Sequence, residues 1–181
     1  MFEVVFVCSG NRCRSPAAEQ WLNRFSPGPW LRATSAGTLD LRASGPPHEM
    51  VEVASEMGLD LAGHRSRHVS SAGLDKADLV IGMALEHVAT SVVDWGADPA
   101  RSFTLVELVD LLEEVGPVEE TQPEDRASKL VAAAHEERSR KKGAKHAIDI
   151  VDPIGGPYRL YRDVTEQIRD LCSRLASVLR A

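Results

Sequence analysis

The 181-residue chain has little of what characterises secreted, membrane-spanning or nucleic-acid-binding proteins. Its three cysteines are few and odd in number, which argues against a disulfide framework and favours a reducing compartment. No apolar run approaches the roughly 20 residues that span a bilayer, and the N-terminus shows no evident secretory leader. Acidic residues number 27 against 21 lysines and arginines, for a net charge of -6, whereas binding to phosphate backbones requires a basic surface. We therefore expect a cytoplasmic protein with neither nucleic-acid nor membrane partners.

What the chain does have is a regular alternation of strand and helix patterns. Four segments are apolar enough for strands, at residues 3–8, 30–37, 77–83 and 102–108. Helices are predicted after a hydroxyl cap at Ser15 followed by Pro16, between Pro47 and Gly58, over residues 85–95, and along an apolar stripe from Tyr161 to Leu179. Such alternation predicts an α/β fold, with a four-stranded parallel sheet flanked by helices on both faces in one domain of residues 1–181.

One segment interrupts this alternation. Residues 116–145 are rich in charge and poor in large apolar side chains. Acidic residues lead and basic residues follow, an order that suits a helix dipole, so we predict a solvated helix within an exposed insertion. A lid that guides substrate or binds a partner is the alternative interpretation.

The stretch FVCSGNRCRSPAAE, residues 6–19, contains two of the three cysteines and indicates a reactive site. It places Cys8 at the carboxyl end of the first predicted strand, the edge at which parallel sheets bind ligands. A nucleophilic cysteine must be a thiolate, whereas a free thiol has a pKa of about 8.5. Loop N–H groups, a helix N-terminus, the Arg14 guanidinium and the Ser15 hydroxyl could all stabilise that negative charge. The same groups would bind a phosphate above the sulfur, so we predict a phosphate-binding loop that also carries a nucleophile.

The pattern Cys8-x5-Arg14-Ser15, followed by Pro16 and Glu19, resembles the signature of the low-molecular-weight protein tyrosine phosphatases. Three further segments resemble parts of that family, namely TSAGT at 34–38, GHRSR at 63–67 and DPIGG at 152–156. The resemblance extends over nearly the whole chain except residues 116–145. It implies a phosphatase without a cofactor that hydrolyses phosphomonoesters, above all protein phosphotyrosine, through a phosphocysteine intermediate.

The resemblance also implies a role for each matching position. Cys8 would be the nucleophile, Arg14 the phosphate clamp, and Asp152 the general acid that later activates water. Such an acid is chemically necessary, because an alkoxide or phenoxide leaving group needs a proton. The remaining positions would bind phosphate or support the loop: Ser9, Gly10, Asn11, Arg12, Cys13, Ser15, Ser35 and His64.

Each of these assignments has a purely structural alternative. Cys8 could be a core cysteine at a strand end, and Asp152 a turn former before proline. His64 is better explained as a structural histidine than as a catalytic one. Cys13 either fills space under the loop or captures an oxidised Cys8 as a disulfide.

Two departures from the family pattern bear on the substrate. Leu41 and Ile154 stand where the family has aromatic pocket walls, so stacking on a phosphotyrosine ring would be weakened. Tyr158 or Tyr161 could supply a ring from nearby. Arg12 stands where relatives carry an aliphatic residue, or threonine in those that act on phosphoarginine. A cation there would repel a guanidinium and favour acidic peptides or small phosphates, although a protein arginine phosphatase stays an alternative.

Three other functions are tested by the residues that each would require. Arsenate reductases with an internal relay need two more cysteines in the middle of the chain, and there is none between Cys13 and Cys172. A reductase that uses an external small-molecule thiol would need Cys8 alone and is left open. A non-catalytic phosphate-binding module would lose Cys8 or Asp152, and both are present. The six histidines show no metal-ligand spacing, so no metal site is predicted.

Overall fold

The computed structural model describes residues 1–141 and 149–180. At its centre lies a parallel sheet of four strands in the order β2-β1-β3-β4. The strands are β1 (Phe2–Cys8), β2 (Leu31–Gly37), β3 (Leu79–Gly82) and β4 (Ser102–Thr104). β1 pairs with β2 from Phe2–Leu31 to Cys8–Gly37 and, on its other side, with β3 from Val4–Leu79 to Val7–Gly82. Cys8 therefore lies at the carboxyl edge of a central strand.

Helices cover both faces of this sheet, as the alternating sequence pattern predicts. They are α1 (Arg14–Phe25), α2 (His48–Glu56), α3 (Leu85–Val93), α4 (Leu105–Val115), α5 (Pro123–Arg140) and α6 (Tyr158–Arg180). Successive side chains of a strand point to opposite faces. Accordingly, Val4 and Phe6 lie in a large core with α1, α2, α4, α5 and α6, whereas Val5 and Val7 lie in a smaller core beside α3. The nearly continuous apolar run of β1 follows from this double burial.

The fourth strand is shorter than the sequence predicts. It ends at Thr104, whose hydroxyl accepts a hydrogen bond from the Glu107 N–H while the Glu107 carboxylate accepts one from the Thr104 N–H. This reciprocal capping box begins α4 at Leu105. The prediction of a strand through residue 108 is therefore wrong, because a strong helix start lies inside the apolar run.

The start of α1 also differs from the prediction. The helix begins at Arg14, with Cys13 at the cap position and no side-chain cap. Ser15 lies in the first turn, where its Oγ is 3.0 Å from Cys8 Sγ. The predicted capping role of Ser15 is wrong, because the curled loop directs this hydroxyl towards the sulfur instead of the helix end.

The charged segment after α4 contains a helix, as predicted, but that helix is not solvated on all sides. Four small or apolar side chains of α5 are buried at helical spacing: Ala127, Leu130, Val131 and Ala134. This stripe packs into the large core, and the surrounding charges concealed it in the composition. Residues 142–145 of the predicted insertion lie outside the described residues, as does Ala181. None of the helices within the described ranges combines the length and the apolar composition that crossing a bilayer would require.

Candidate active site

Cys8 lies almost completely buried at the base of a loop formed by residues 9–13, the phosphate-binding loop. Its sulfur accepts a hydrogen bond from the Asn11 N–H at 3.2 Å and lies 3.0 Å from Ser15 Oγ. The Ser15 hydroxyl accepts from Asn11 Nδ2 at 2.9 Å, which leaves its own hydrogen to donate. The nearer acceptor is the sulfur at 3.0 Å, since the Ala36 carbonyl oxygen lies at 3.4 Å. Both contacts place hydrogen-bond donors at the Cys8 sulfur.

Asn11 connects the loop to its surroundings. Its φ of 49° lies in the left-handed region, which asparagine tolerates better than most residues. Its Nδ2 donates to Ser35 Oγ at 2.8 Å as well as to Ser15, and its Oδ1 accepts from the Arg67 N–H at 2.9 Å. Its carbonyl oxygen lies 2.7 Å from His64 Nε2. The sequence-predicted supports Ser35 and His64 therefore meet the loop at this one residue.

The carboxyl end of β2 packs closely against the loop. A Cβ atom added at Gly37 would lie 2.8 Å from the Ser9 carbonyl oxygen, so glycine is required for this approach. Gly10 faces Leu41, whose Cδ1 would lie 3.1 Å from an added Cβ. The loop therefore packs against the end of β2 on one side and against the Leu41 side chain at Gly10.

Arg14 is 4% exposed and joins the loop to a distant segment of the chain. Its Nη1 donates to the Ile150 carbonyl oxygen at 3.0 Å, and its Nη2 donates to Asp152 Oδ2 at 2.5 Å and to Ser9 Oγ at 3.3 Å. The Ile150 N–H in turn donates to the Met83 carbonyl oxygen, just after β3, at 2.8 Å. The structure therefore places Asp152 against Arg14, directly after the loop that begins at Cys8, and Asp152 occupies the edge of the guanidinium that a phosphate could bind.

A histidine that the sequence analysis missed lies beside this ion pair. His87, in the first turn of α3, is 1% exposed, and its Nε2 lies 2.9 Å from Ser9 Oγ. Burial, aided by the Arg14 charge, lowers the pKa of His87 to about 4. Its position shortly after the carboxyl end of β3 was the available signal, because that edge also holds Cys8.

Neither predicted pocket wall is aromatic, and Leu41 lies against Gly10 of the loop. Ile154 is 43% exposed, and Leu41 is half-buried. Tyr161 is buried in the core, where its Oη accepts from the Gly155 N–H at 3.3 Å, and Tyr158 donates to Glu56 Oε1 at 3.0 Å. Both tyrosines therefore have other contacts, and nothing supports either as a replacement wall.

Comparison with known proteins decides the family. Residues 3–120 match the family model described as low molecular weight phosphotyrosine protein phosphatase. The chain belongs to this family. The resemblance seen in the Cys8 motif is thereby confirmed, and so is the class of enzyme, a cysteine-based phosphatase.

Two curated relatives indicate how far the similarity extends. A protein-arginine-phosphatase of Geobacillus stearothermophilus is 28% identical over 180 residues, which cover 99% of this chain and 97% of that protein. The low molecular weight protein-tyrosine-phosphatase Wzb of Escherichia coli K12 is 38% identical over 85 residues, which cover 47% of this chain and 56% of Wzb. The match to Wzb thus spans about half of each protein.

Solved structures agree with the fold. A low molecular weight protein tyrosine phosphatase from T. tengcongensis has a TM-score of 0.71 at 28% identity, covering 98% of this chain and 99% of that one. The YwlE arginine phosphatase from Geobacillus stearothermophilus has a TM-score of 0.72 at 28% identity, covering 99% of this chain and 94% of that one. The predicted four-stranded parallel sheet with flanking helices is confirmed.

The other cysteines of this phosphatase are both buried. Burial raises the pKa of the Cys13 thiol, and the neighbouring Cys8 charge raises it further. Cys172 lies in the core on α6 and donates weakly to the Ala18 carbonyl oxygen at 3.7 Å. Cys13 is therefore a thiol beneath the loop, and its capture of an oxidised Cys8 stays a prediction.

Within residues 1–141 and 149–180, no three histidine, cysteine, aspartate or glutamate side chains form a group that could hold a metal ion. His146 lies outside these ranges.

Proposed function

We propose that the protein hydrolyses phosphomonoesters through a phosphocysteine formed on Cys8, with protein phosphotyrosine as its preferred substrate. One observation carries this proposal: the Cys8 sulfur accepts from the loop N–H of Asn11, while Arg14, the residue that follows the loop, contacts Asp152. Nucleophile, oxyanion clamp and carboxyl group are the three parts that such a hydrolysis needs.

In the first step, the Cys8 thiolate attacks phosphorus, a sulfur–phosphorus bond forms, and the bond to the leaving oxygen breaks. Asp152, in its protonated form, gives its proton to that oxygen. In the second step, Asp152 takes a proton from water, which attacks phosphorus and releases Cys8 as a thiolate. Hydrogen bonds from Asn11 and Ser15 stabilise the sulfur both as nucleophile and as leaving group.

Substrate binding would rearrange the contacts of Arg14. In the structure, Arg14 Nη2 donates to Asp152 Oδ2 at 2.5 Å. A phosphate dianion is a stronger partner for the planar guanidinium fork than one carboxylate oxygen. We expect the dianion to take this edge and to free Asp152 for proton transfer. The Asp152 side chain is 40% exposed, so it has room to move.

Arg12 favours substrates with negative charge around the phosphate. Its Nε donates to the Gly45 carbonyl oxygen at 2.6 Å, which holds a cation beside the turn that follows Leu41. Such a cation would attract acidic peptide segments and small phosphates. We therefore infer phosphorylated proteins or small phosphomonoesters as partners, and a cytoplasmic location is consistent with three unpaired cysteines.

Protein arginine phosphatase activity is the second candidate. The similarity to the protein-arginine-phosphatase of Geobacillus stearothermophilus, which extends over 180 residues, favours this activity. Arg12 opposes it, because one guanidinium would stand beside another. If Arg12 alone excludes phosphoarginine, Arg12→Thr should gain activity on a phosphoarginine peptide and lose preference for acidic phosphotyrosine peptides.

The experiment compares wild type and Cys8→Ser on an aryl phosphate, a phosphotyrosine peptide and a phosphoarginine peptide, with a chelator present. We expect wild type to hydrolyse the aryl phosphate and the phosphotyrosine peptide, and Cys8→Ser to hydrolyse neither. Activity that survives in the serine variant, or that the chelator abolishes, would refute the mechanism. Faster hydrolysis of the phosphoarginine peptide would instead establish the second candidate.

A further inference from the structure

His87 is a buried polar side chain beside the ion pair of Arg14 and Asp152, and the proposed reaction assigns it no role. It is 1% exposed and lies on α3, directly after the carboxyl end of β3. Its ring has one hydrogen-bond contact within the described part of the chain, from Nε2 to Ser9 Oγ at 2.9 Å. Buried polar groups with a single partner need an explanation.

Ser9 connects this histidine to the phosphate clamp. Its Oγ accepts from Arg14 Nη2 at 3.3 Å and contacts His87 Nε2 at 2.9 Å. A guanidinium can only donate, so one lone pair of Ser9 is committed to Arg14. The proton on the His87 ring decides how the rest of the hydroxyl is used. If Nε2 carries that proton, Ser9 Oγ accepts from His87, and if Nδ1 carries it, the Ser9 hydroxyl donates to Nε2.

The hydrogen bonds assign that proton to Nε2. Nδ1 is buried and has no partner among the described residues, and an orphaned buried N–H is rarer than an orphaned acceptor. A carboxylate oxygen of Glu86 also lies 3.5 Å from Nε2, which favours a hydrogen there. With this tautomer, Ser9 Oγ accepts from both His87 and Arg14, and its own hydrogen is free to donate to an anion.

We propose that neutral His87 is a positioning residue that orients the Ser9 hydroxyl as a hydrogen-bond donor to the substrate phosphate and steadies Arg14 through it. This inference rests on the proposed function, because it assigns the hydroxyl to a phosphate bound by the loop. It adds the Ser9 hydroxyl to the groups that bind the dianion, and His87 to the residues that position those groups.

The charges around the ring are consistent with a neutral imidazole. Burial, followed by the nearby Arg14 cation, lowers the pKa of His87 to about 4, against weaker opposing effects from Asp152 and Asp149. Glu86 is the other carboxylate near the ring, and its side chain is largely exposed. His87 is therefore uncharged at neutral pH and acts as a hydrogen-bond donor without competing with Arg14 for the dianion.

The test measures kcat, KM and inhibition by inorganic phosphate for His87→Leu, His87→Gln and His87→Asn on an aryl phosphate. Loss of a hydrogen bond that acts on a charged ligand should lower kcat/KM and weaken phosphate inhibition by roughly tenfold to thirtyfold in His87→Leu. Gln can present an amide N–H near the position of Nε2 and should restore most of this loss. Asn reaches only the position of Nδ1 and should not. Ser91→Ala, which removes a buried hydroxyl bonded to the His87 carbonyl oxygen at 2.7 Å, is the matched control on the same helix.

Ser9→Ala provides an independent measurement if a His87 variant fails to fold. It should weaken phosphate inhibition about as much as His87→Leu, and the double variant should lose little more than either single variant, because both act through one hydroxyl. Additive losses, or equal activity in the Gln and Asn variants, would overturn the proposal. An active wild type with an inactive Cys8→Ser and unaffected His87 variants would refute this inference alone. An inactive wild type would refute the proposed function.

Discussion

In the phosphate-binding loop, polar groups face other polar groups, whereas the two segments predicted to border the substrate pocket present apolar side chains to solvent. These border segments are residues 39–47 and 151–156. Asn11 alone makes contacts with Ser15, Ser35, His64 and Arg67. In the border segments, Leu39, Val151 and Ile154 are 55%, 59% and 43% exposed.

We expect this difference to separate the residues that serve the chemistry from those that select the substrate. Donors that stabilise developing charge act best when the surrounding structure fixes them before the reaction, and the loop meets that condition by burial. Exposed segments on a rigid scaffold can change without unfolding it. We therefore expect variants of the loop to lose turnover on every substrate, and variants of the border segments to change the preference between substrates.

The largest effect is expected from Asp152→Asn, because the proposed function gives Asp152 the role of general acid although it lies in a border segment. With a poorly activated aryl or alkyl phosphate, turnover should fall about 10²–10⁴-fold, the usual contribution of a general acid. With a leaving group that needs no proton, the loss should be much smaller. Asp149→Asn is the control, since Asp149 caps α3 through the Leu85 N–H at 2.8 Å. Equal losses on both kinds of substrate would show that Asp152 is structural.

The next largest effect is expected from Asn11→Ala in the loop. It removes three side-chain hydrogen bonds, to Ser15, Ser35 and the Arg67 N–H, and kcat/KM should fall by at least about tenfold on all substrates alike. Asn23→Ala is the control, because Asn23 also bonds to β2, through the N–H and carbonyl of Ala33 at 2.9 Å each. Denaturant unfolding should show destabilisation of both variants, with steady-state kinetics altered in Asn11→Ala only. A fully active Asn11→Ala would contradict the importance of the buried network.

A smaller and selective effect is expected from Ile154→Tyr. An added ring can stack on the substrate ring, and such pairs contribute about 0.5–1.5 kcal/mol beyond burial. Catalytic efficiency on a phosphotyrosine peptide should rise by up to about tenfold, with no change on a small alkyl phosphate. Val93→Tyr adds the same ring to an exposed position outside the border segments, at the end of α3, and should have no effect. A rise on both substrates would mean that Ile154 influences the chemistry.

The smallest effect on turnover is expected from Cys13→Ser. Cys13 is buried, and no described side chain depends on its sulfur for a hydrogen bond, so activity should be nearly unchanged. Under peroxide, wild type should be inactivated reversibly as oxidised Cys8 forms a disulfide with Cys13 and releases water. The serine variant should be inactivated permanently, as measured by recovery after thiol reductant. Equal recovery of both proteins would show that Cys13 only fills space in the loop.

The sequence predicted what depends on short separations along the chain. Cys8, Arg14 and Ser15 lie within one loop and helix start, and the family motif identifies Asp152 although it is distant. His87 was missed, because the role proposed for it depends on a contact with Ser9 across 78 residues and the ring has no spacing signature. The end of β4 was misplaced because the capping box of Thr104 and Glu107 lies within an apolar run. The α5 stripe was missed because charged residues outnumber the few that are buried.

The central claim, a phosphoryl group carried on Cys8, can be measured directly. Asp152→Asn should slow breakdown of the intermediate, and adding Cys13→Ser leaves Cys8 as the one cysteine of residues 8–14. This double variant is mixed with an aryl phosphate whose leaving group needs no proton, and rapidly denatured at alkaline pH. Mass spectrometry of the loop peptide should show one added phosphoryl group on Cys8, with a burst of about one phenol per active site. A burst without that adduct, or an adduct on another residue, would contradict the account.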